Sequence, residues 1–211
     1  VFDLVDFYVW DKFGNGFFTR LELFALMMAS GLVALRRAWI IHKENIKKEA
    51  YEKMAYTDNL TGFRNRRGFD QDAEAIEQKK KPVTIVYMDM NGLKKINDEN
   101  GHYMGDKALL IIGEYIGKLQ NNDTTCYRLG GDEFCMLSFD REPEEAEKLC
   151  EEINRQLEGF TDKFDYAIGI SYGIIKYRGD ENMNMQRCIM EADRKMYKYK
   201  EEVYRHQTKY R

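Results

Sequence analysis

Proline is nearly absent: Pro82 and Pro143 are the only two in 211 residues. That excludes a Pro-rich linker or a collagen-like stretch. The four cysteines, at 126, 135, 150 and 188, form no C-x-x-C pair. This spacing argues against a structural zinc site and against a disulfide-dense secreted fold. Basic charge is not in excess either, with 33 Lys and Arg against 36 Asp and Glu, a formal net charge of −3. No nucleic-acid partner is therefore expected, and any polyanion must be held by local groups, not by a global field. What the chain does have is 44% apolar and 33% charged residues, which excludes wholesale disorder. The length suits one domain of about 150–200 residues with a short additional segment.

Long uncharged runs are scarce. The longest, Leu23 to Leu35, reads LFALMMASGLVAL and falls short of the roughly 20 apolar residues that a spanning helix needs. A span from Leu21 to Ile41 would have to tolerate Glu22, Arg36 and Arg37. Long basic side chains near a helix end can snorkel to the interface. The basic residues that follow (Arg36, Arg37, Lys43, Lys47, Lys48) suit a cytoplasmic exit. Two readings stand: a membrane contact through residues 21–41, or an amphipathic helix packed on a partner chain. Residues 42–56 lack Gly and Pro, and continue the helix. Ile46, Ala50 and Met54 recur every four residues, as a dimer seam or a solvated connector would.

From Thr57 the pattern alternates. A helix is expected over Gly68–Gln78, then a buried strand at Val83–Met88, whose β-branched run shows no polar alternation. A short helix at Gly92–Glu99 follows. Next comes a helix opened by Asp106, with Leu109, Ile112, Ile116 and Leu119 on one face. Strands at Thr125–Arg128 and Glu133–Phe139 flank Gly130-Gly131 and read as a tight hairpin. Pro143–Leu157 reads as a helix, Ala167–Tyr177 as a strand and Met185–Tyr204 as a final helix. With a two-residue turn at Gly130-Gly131, Glu133 pairs with Arg128 and Cys126 faces Cys135.

Two constellations can carry chemistry. Asp89 ends the strand VTIVYM, where α/β sheets place ligands; a cap or solvated turn is the plainer reading. Arg128 to Phe134 reads RLGGDEF. Its glycines let a backbone approach a bulky ligand, and Asp132 and Glu133 leave the turn directly after. If Asp132 and Asp89 converge, they form a hard-oxygen site suited to Mg²⁺, which binds through one or two carboxylates plus substrate phosphates. An acidic hairpin tip is the alternative.

RLGGDEF resembles the signature loop of the GGDEF domain, the diguanylate cyclase family. Four further segments match in order. Asp58 to Arg67 reads DNLTGFRNRR; Val86 to Asp106 reads VYMDMNGLKKINDENGHYMGD; Ile170 to Ile174 reads ISYGI; Ala192 to Tyr197 reads ADRKMY. The resemblance covers about residues 57–204 and implies two domains: residues 1–56 as a membrane-proximal signalling helix region, and 57–211 as a diguanylate cyclase domain. It implies an α/β (α+β) sandwich similar to the nucleotide cyclase and polymerase palm, a central sheet flanked by helices and preceded by an N-terminal helix. It further implies condensation of two GTP into cyclic di-GMP with release of pyrophosphate, by a homodimer whose two sites face each other. The catalytic domain would be cytoplasmic, anchored at the inner face of the cell membrane if residues 21–41 enter it.

By the same resemblance, Asp89, the Met90 carbonyl and Asp132 bind Mg²⁺ (Mn²⁺ as an alternative). Asp132 also helps to deprotonate the 3′-hydroxyl, with Glu133 as the second acid. Asn97 and Asp106 read guanine: an Asp accepts from N1–H and N2–H₂, a donor pair adenine lacks. Lys94 and Lys200 lie near the phosphates, and Gly130 and Gly131 belong to the substrate-binding set. Three departures stand out. Asn91 replaces the family's second Asp of its block. Tyr204 stands where the family's phosphate-binding arginine falls, with Arg205 one place off. Asn121 replaces the arginine of the product-inhibition motif, so no inhibition through that site is expected. A catalytically weak domain acting as a GTP-binding regulatory module is the alternative function.

Overall fold

The computed structural model describes residues 15–160, 168–180 and 183–209. The chain divides into two compact units, Val1–Lys53 and Met54–Arg211. The described part of the first unit is helical and belongs to α1 (Asn15–Tyr56). Within α1, Arg20–Lys48 is long and apolar enough to cross a membrane, and none of it is buried.

Among the described residues, the second unit is built on a four-stranded antiparallel sheet in the order β2-β3-β1-β4. Its elements are α2 (Arg66–Gln78), β1 (Val83–Met90), α3 (Leu93–Asn100), α4 (His102–Gly117), β2 (Thr124–Gly130), β3 (Glu133–Ser138), α5 (Pro143–Leu157), β4 (Ile170–Tyr177) and α6 (Met185–Lys209). All eight β1 residues are buried, which explains a strand sequence without polar alternation. Side chains alternate between two cores. Val86, Met88 and Met90 pack with Ile96, Ile112, Ile116 and Ile153 from α3, α4 and α5. Ile85 and Tyr87 pack with Phe69 and Ile76 of α2 and with Ala192 and Met196 of α6. The result is a sheet with a helical layer on each face.

Local chemistry fixes the joints. The Asn65 side chain accepts from Gly68 N and caps α2, so that helix begins two residues before Gly68. Gly101, at φ 82°, ends α3 and opens α4. Asp106 therefore lies inside α4 and not at its cap, which corrects the expected helix start. α6 lies close on β4 at Gly173: a Cβ there would stand 2.0 Å from the Ala192 carbonyl oxygen.

The hairpin register also differs from expectation. Gly130 pairs with Glu133 and Arg128 with Phe134, because the ladder shifts between Arg128 and Gly130. The turn is thus Gly131-Asp132, with Leu129 as an extra residue. Cys126 faces Met136 and Cys135 faces Tyr127, so the two thiols lie in different cores. Glu133 does not pair with Arg128. It meets Arg66, at 3.4 Å.

Candidate active site

Three strand ends meet at one edge of the sheet. β1 runs antiparallel to both neighbours, so its C-terminal Asp89 lies beside Glu133 at the start of β3 and Ser171 at the start of β4. The β2–β3 turn folds onto the same point: Met90 N donates to the Asp132 carbonyl at 2.9 Å. Asp89 and Glu133 share strand parity and project to the α2/α6 face. Asp89 is 7% exposed. Burial pushes its carboxyl above the usual range; the Lys200 ammonium opposes this, and the charges of Asp132 and Glu133 add to it. Asp89, Asp132 and Glu133 thus form a mutually repelling set of carboxylates around a buried strand end.

The two helices of that face supply cations. Lys200 of α6 reaches the Asp89 Oδ1 at 2.5 Å, and Arg66 at the start of α2 approaches Glu133. The sequence placed Lys200 with phosphates; the structure places it on the carboxylate of β1. Arg66 is a site residue that sequence reasoning missed, although it stands inside the N-R-R string. Arg205 meets Glu201 of its own helix at 4.0 Å.

Asn97 and Asp106 come from α3 and α4. A Cβ on Gly105 would stand 2.0 Å from the Asn97 Oδ1, so the glycine before Asp106 admits the Asn97 carboxamide against α4. Asp106 and Lys94 are exposed. Asn91 is structural: its backbone N donates to the Gly169 carbonyl at 2.9 Å. Its Oδ1 accepts from the Ser171 hydroxyl at 2.7 Å, holding β1 to the start of β4. Gly130 and Gly131 have φ of 149° and 49°, which L side chains rarely adopt. A Cβ on either would meet nothing within 4 Å, so the turn is open on its outer side.

Among the described residues, no three His, Cys, Asp or Glu side chains enclose a metal by themselves. The donor set fits Mg²⁺ nonetheless, because that ion takes one or two carboxylates and completes its shell with water and phosphate oxygens. The Lys200 ammonium on Asp89 marks the place where positive charge is favoured.

An antiparallel sheet of this order with helices on both faces is a nucleotide-cyclase-like fold. A family model described as "Diguanylate cyclase, GGDEF domain" matches residues 55–206, and the chain belongs to that family. It is 30% identical over 184 residues to diguanylate cyclase DgcP of Escherichia coli, covering 83% of this chain and 54% of that protein. It is 31% identical over 190 residues to the bifunctional diguanylate cyclase/cyclic di-GMP phosphodiesterase MucR of Pseudomonas aeruginosa, covering 87% and 26%. The chain therefore spans about half the length of the first relative and a quarter of the second. Among solved structures, the coiled coil and GGDEF domain of DgcB from Caulobacter crescentus, in complex with c-di-GMP, shares the fold. Its TM-score is 0.66 at 22% identity, covering 74% of this chain and 86% of that one.

Proposed function

We propose that the chain is a diguanylate cyclase that joins two GTP into cyclic di-GMP. The observation that carries the reading is the meeting of buried Asp89 with Asp132 and Glu133 at one strand end. Asp89, Asp132 and the Met90 carbonyl would hold Mg²⁺, or Mn²⁺ in its place. When bound, the metal lowers the pKa of the attacking hydroxyl and neutralises the leaving pyrophosphate. Asp132, at the turn, accepts the proton of the 3′-hydroxyl. That oxygen forms the new bond to the α-phosphorus of the other nucleotide, and pyrophosphate leaves. Two such transfers close the ring and release two pyrophosphates. Asn97 and Asp106 bind the guanine edge, and Lys94 and the open Gly130-Gly131 turn face the phosphates. Lys200 exchanges Asp89 for a phosphate oxygen when the substrate enters.

Each domain takes one GTP, so the active species is a homodimer with opposed sites. Residues 1–56 form the signalling segment, and the exposed apolar stretch of α1 anchors the cytoplasmic catalytic domain, residues 57–211, at the inner face of the membrane. A second reading, a catalytically weak GTP-binding module, is favoured by Tyr204 at the family's arginine position and by Arg205 turning to Glu201.

Asp89→Ala and Asp132→Ala test the assignment. Each is expected to lower turnover of GTP at least 100-fold while circular dichroism stays native. A folded variant with undiminished turnover would refute the metal assignment.

A further inference from the structure

The signature turn has little of its own to hold it. Gly130 and Gly131 carry no side chains and meet nothing outside. Yet the carboxylate that follows, Asp132, must be aimed closely, since a misplacement of about 1 Å can cost 100-fold in rate. Met90 N holds the turn at the Asp132 carbonyl, and the Arg128 side chain holds it at the preceding residue. Its Nε and Nη2 donate to the Gly131 carbonyl at 3.2 and 2.8 Å. Its Nη1 donates to both oxygens of Asp58, at 3.1 and 3.2 Å. The Arg128 side chain is 12% exposed and the Asp58 side chain 22%.

Asp58 is itself fixed. It accepts from Thr61 N at 2.8 Å and from the Thr61 hydroxyl at 2.7 Å. Its backbone closes the turn at both ends, donating to Phe63 O and accepting from Gly62 N. This turn is in turn sewn to β2, where Arg128 N donates to Arg64 O at 2.9 Å. A planar fork can serve two acceptors at once, which an ammonium cannot do with the same geometry.

We infer that Arg128 is a positioning residue: clamped by Asp58, it pins the Gly131 carbonyl and so aims Asp132. The inference rests on the cyclase reading for its catalytic consequence, but the clamp is a separate physical claim. Asp58 reaches the Gly131 carbonyl through Arg128, so in their effect on that carbonyl the two behave as one unit.

The test uses the full chain in detergent micelles, with Arg128→Gln, Arg128→Lys, Asp58→Asn and the Asp58→Asn/Arg128→Gln double variant. Carbonyl-¹³C NMR with paired ¹³C-Gly and ¹⁵N-Asp labelling selects the Gly-Asp pairs at 105-106, 131-132 and 179-180, and the Gly131 resonance is the one that Asp132→Asn removes. Turnover of GTP and binding of Mn²⁺ with a non-hydrolysable GTP analogue read the consequence. Arg128→Gln is expected to move the Gly131 carbonyl resonance, weaken Mn²⁺ binding and lower kcat about 100-fold with a smaller change in KM. Arg128→Lys should fall between it and the wild type, and the double variant should be no worse than Arg128→Gln alone. An unmoved Gly131 resonance, or losses that add, would overturn the inference. Should wild type make no cyclic di-GMP, the cyclase reading fails, and the Gly131 resonance still decides on the clamp. Should Arg128→Gln not fold, Asp58→Asn, which leaves the guanidinium in place, carries the same comparison.

Discussion

Asp89 is held at a cost that a metal would relieve. Its folded-state pKa lies above the usual carboxylate value because of burial and the neighbouring charges of Asp132 and Glu133. A raised acid contributes stability only below its unfolded value of 3.8, and that contribution is lost as pH rises through the folded value. At neutral pH the ionised group therefore works against folding. Asp89→Asn should leave the Tm of the ligand-free chain at pH 7 no lower than wild type, since Lys200 can extend its ammonium to water. A drop of several degrees would contradict this. Asp58 is the opposite case. Burial raises its pKa, but hydrogen bonds from Thr61 and Arg128 outweigh burial and leave it below 3.8. Its stabilisation is present above that value and lost as pH falls through the folded value. Acid titration of thermal stability should show a steeper loss below about pH 4 in wild type than in Asp58→Asn. Both residues were legible in the sequence as motif members. The partners of Lys200 and Arg66 were not, because side-chain reach depends on which helices cover the site.

At the scale of elements, the strands were legible where burial is complete. β1 reads as a continuous apolar run because both of its faces are covered. The hairpin was not, because one extra residue at Leu129 shifts the ladder and every cross-strand partner beyond it changes. No residue type announces such a bulge. The start of α4 was misread for a similar reason: Gly101 makes no side-chain cap, while Asp106 looks like one. Gly173 shows the tightest packing of helix on sheet. An added methyl there would meet Ala192 O at 2.0 Å and Met196 N at 2.4 Å, both backbone atoms that cannot swing aside. Gly173→Ala is expected to destabilise by about 3 kcal/mol, measured by urea unfolding. A change under about 0.5 kcal/mol would mean that α6 lies further from β4.

For the whole molecule, the proposed membrane anchoring through the exposed apolar stretch Arg20–Lys48 would favour the proposed pairing of domains, since confinement at a surface raises effective concentration. The chain should float with phospholipid vesicles in a density gradient, and residues 57–211 alone should not. The family was legible from motifs, of which the fold brings Asp89, Asp132, Glu133 and Ser171 to one strand end. The pairing that the family resemblance implies belongs to a surface that no single-chain pattern specifies. The central claim is that this strand end makes cyclic di-GMP. It is tested most directly by incubating the chain with GTP and Mg²⁺ at high protein concentration and identifying the products by mass. Cyclic di-GMP and pyrophosphate, in a ratio of about 1:2 and with a specific activity that rises with protein concentration, are expected. Bound GTP without product would contradict the cyclase and favour the regulatory module.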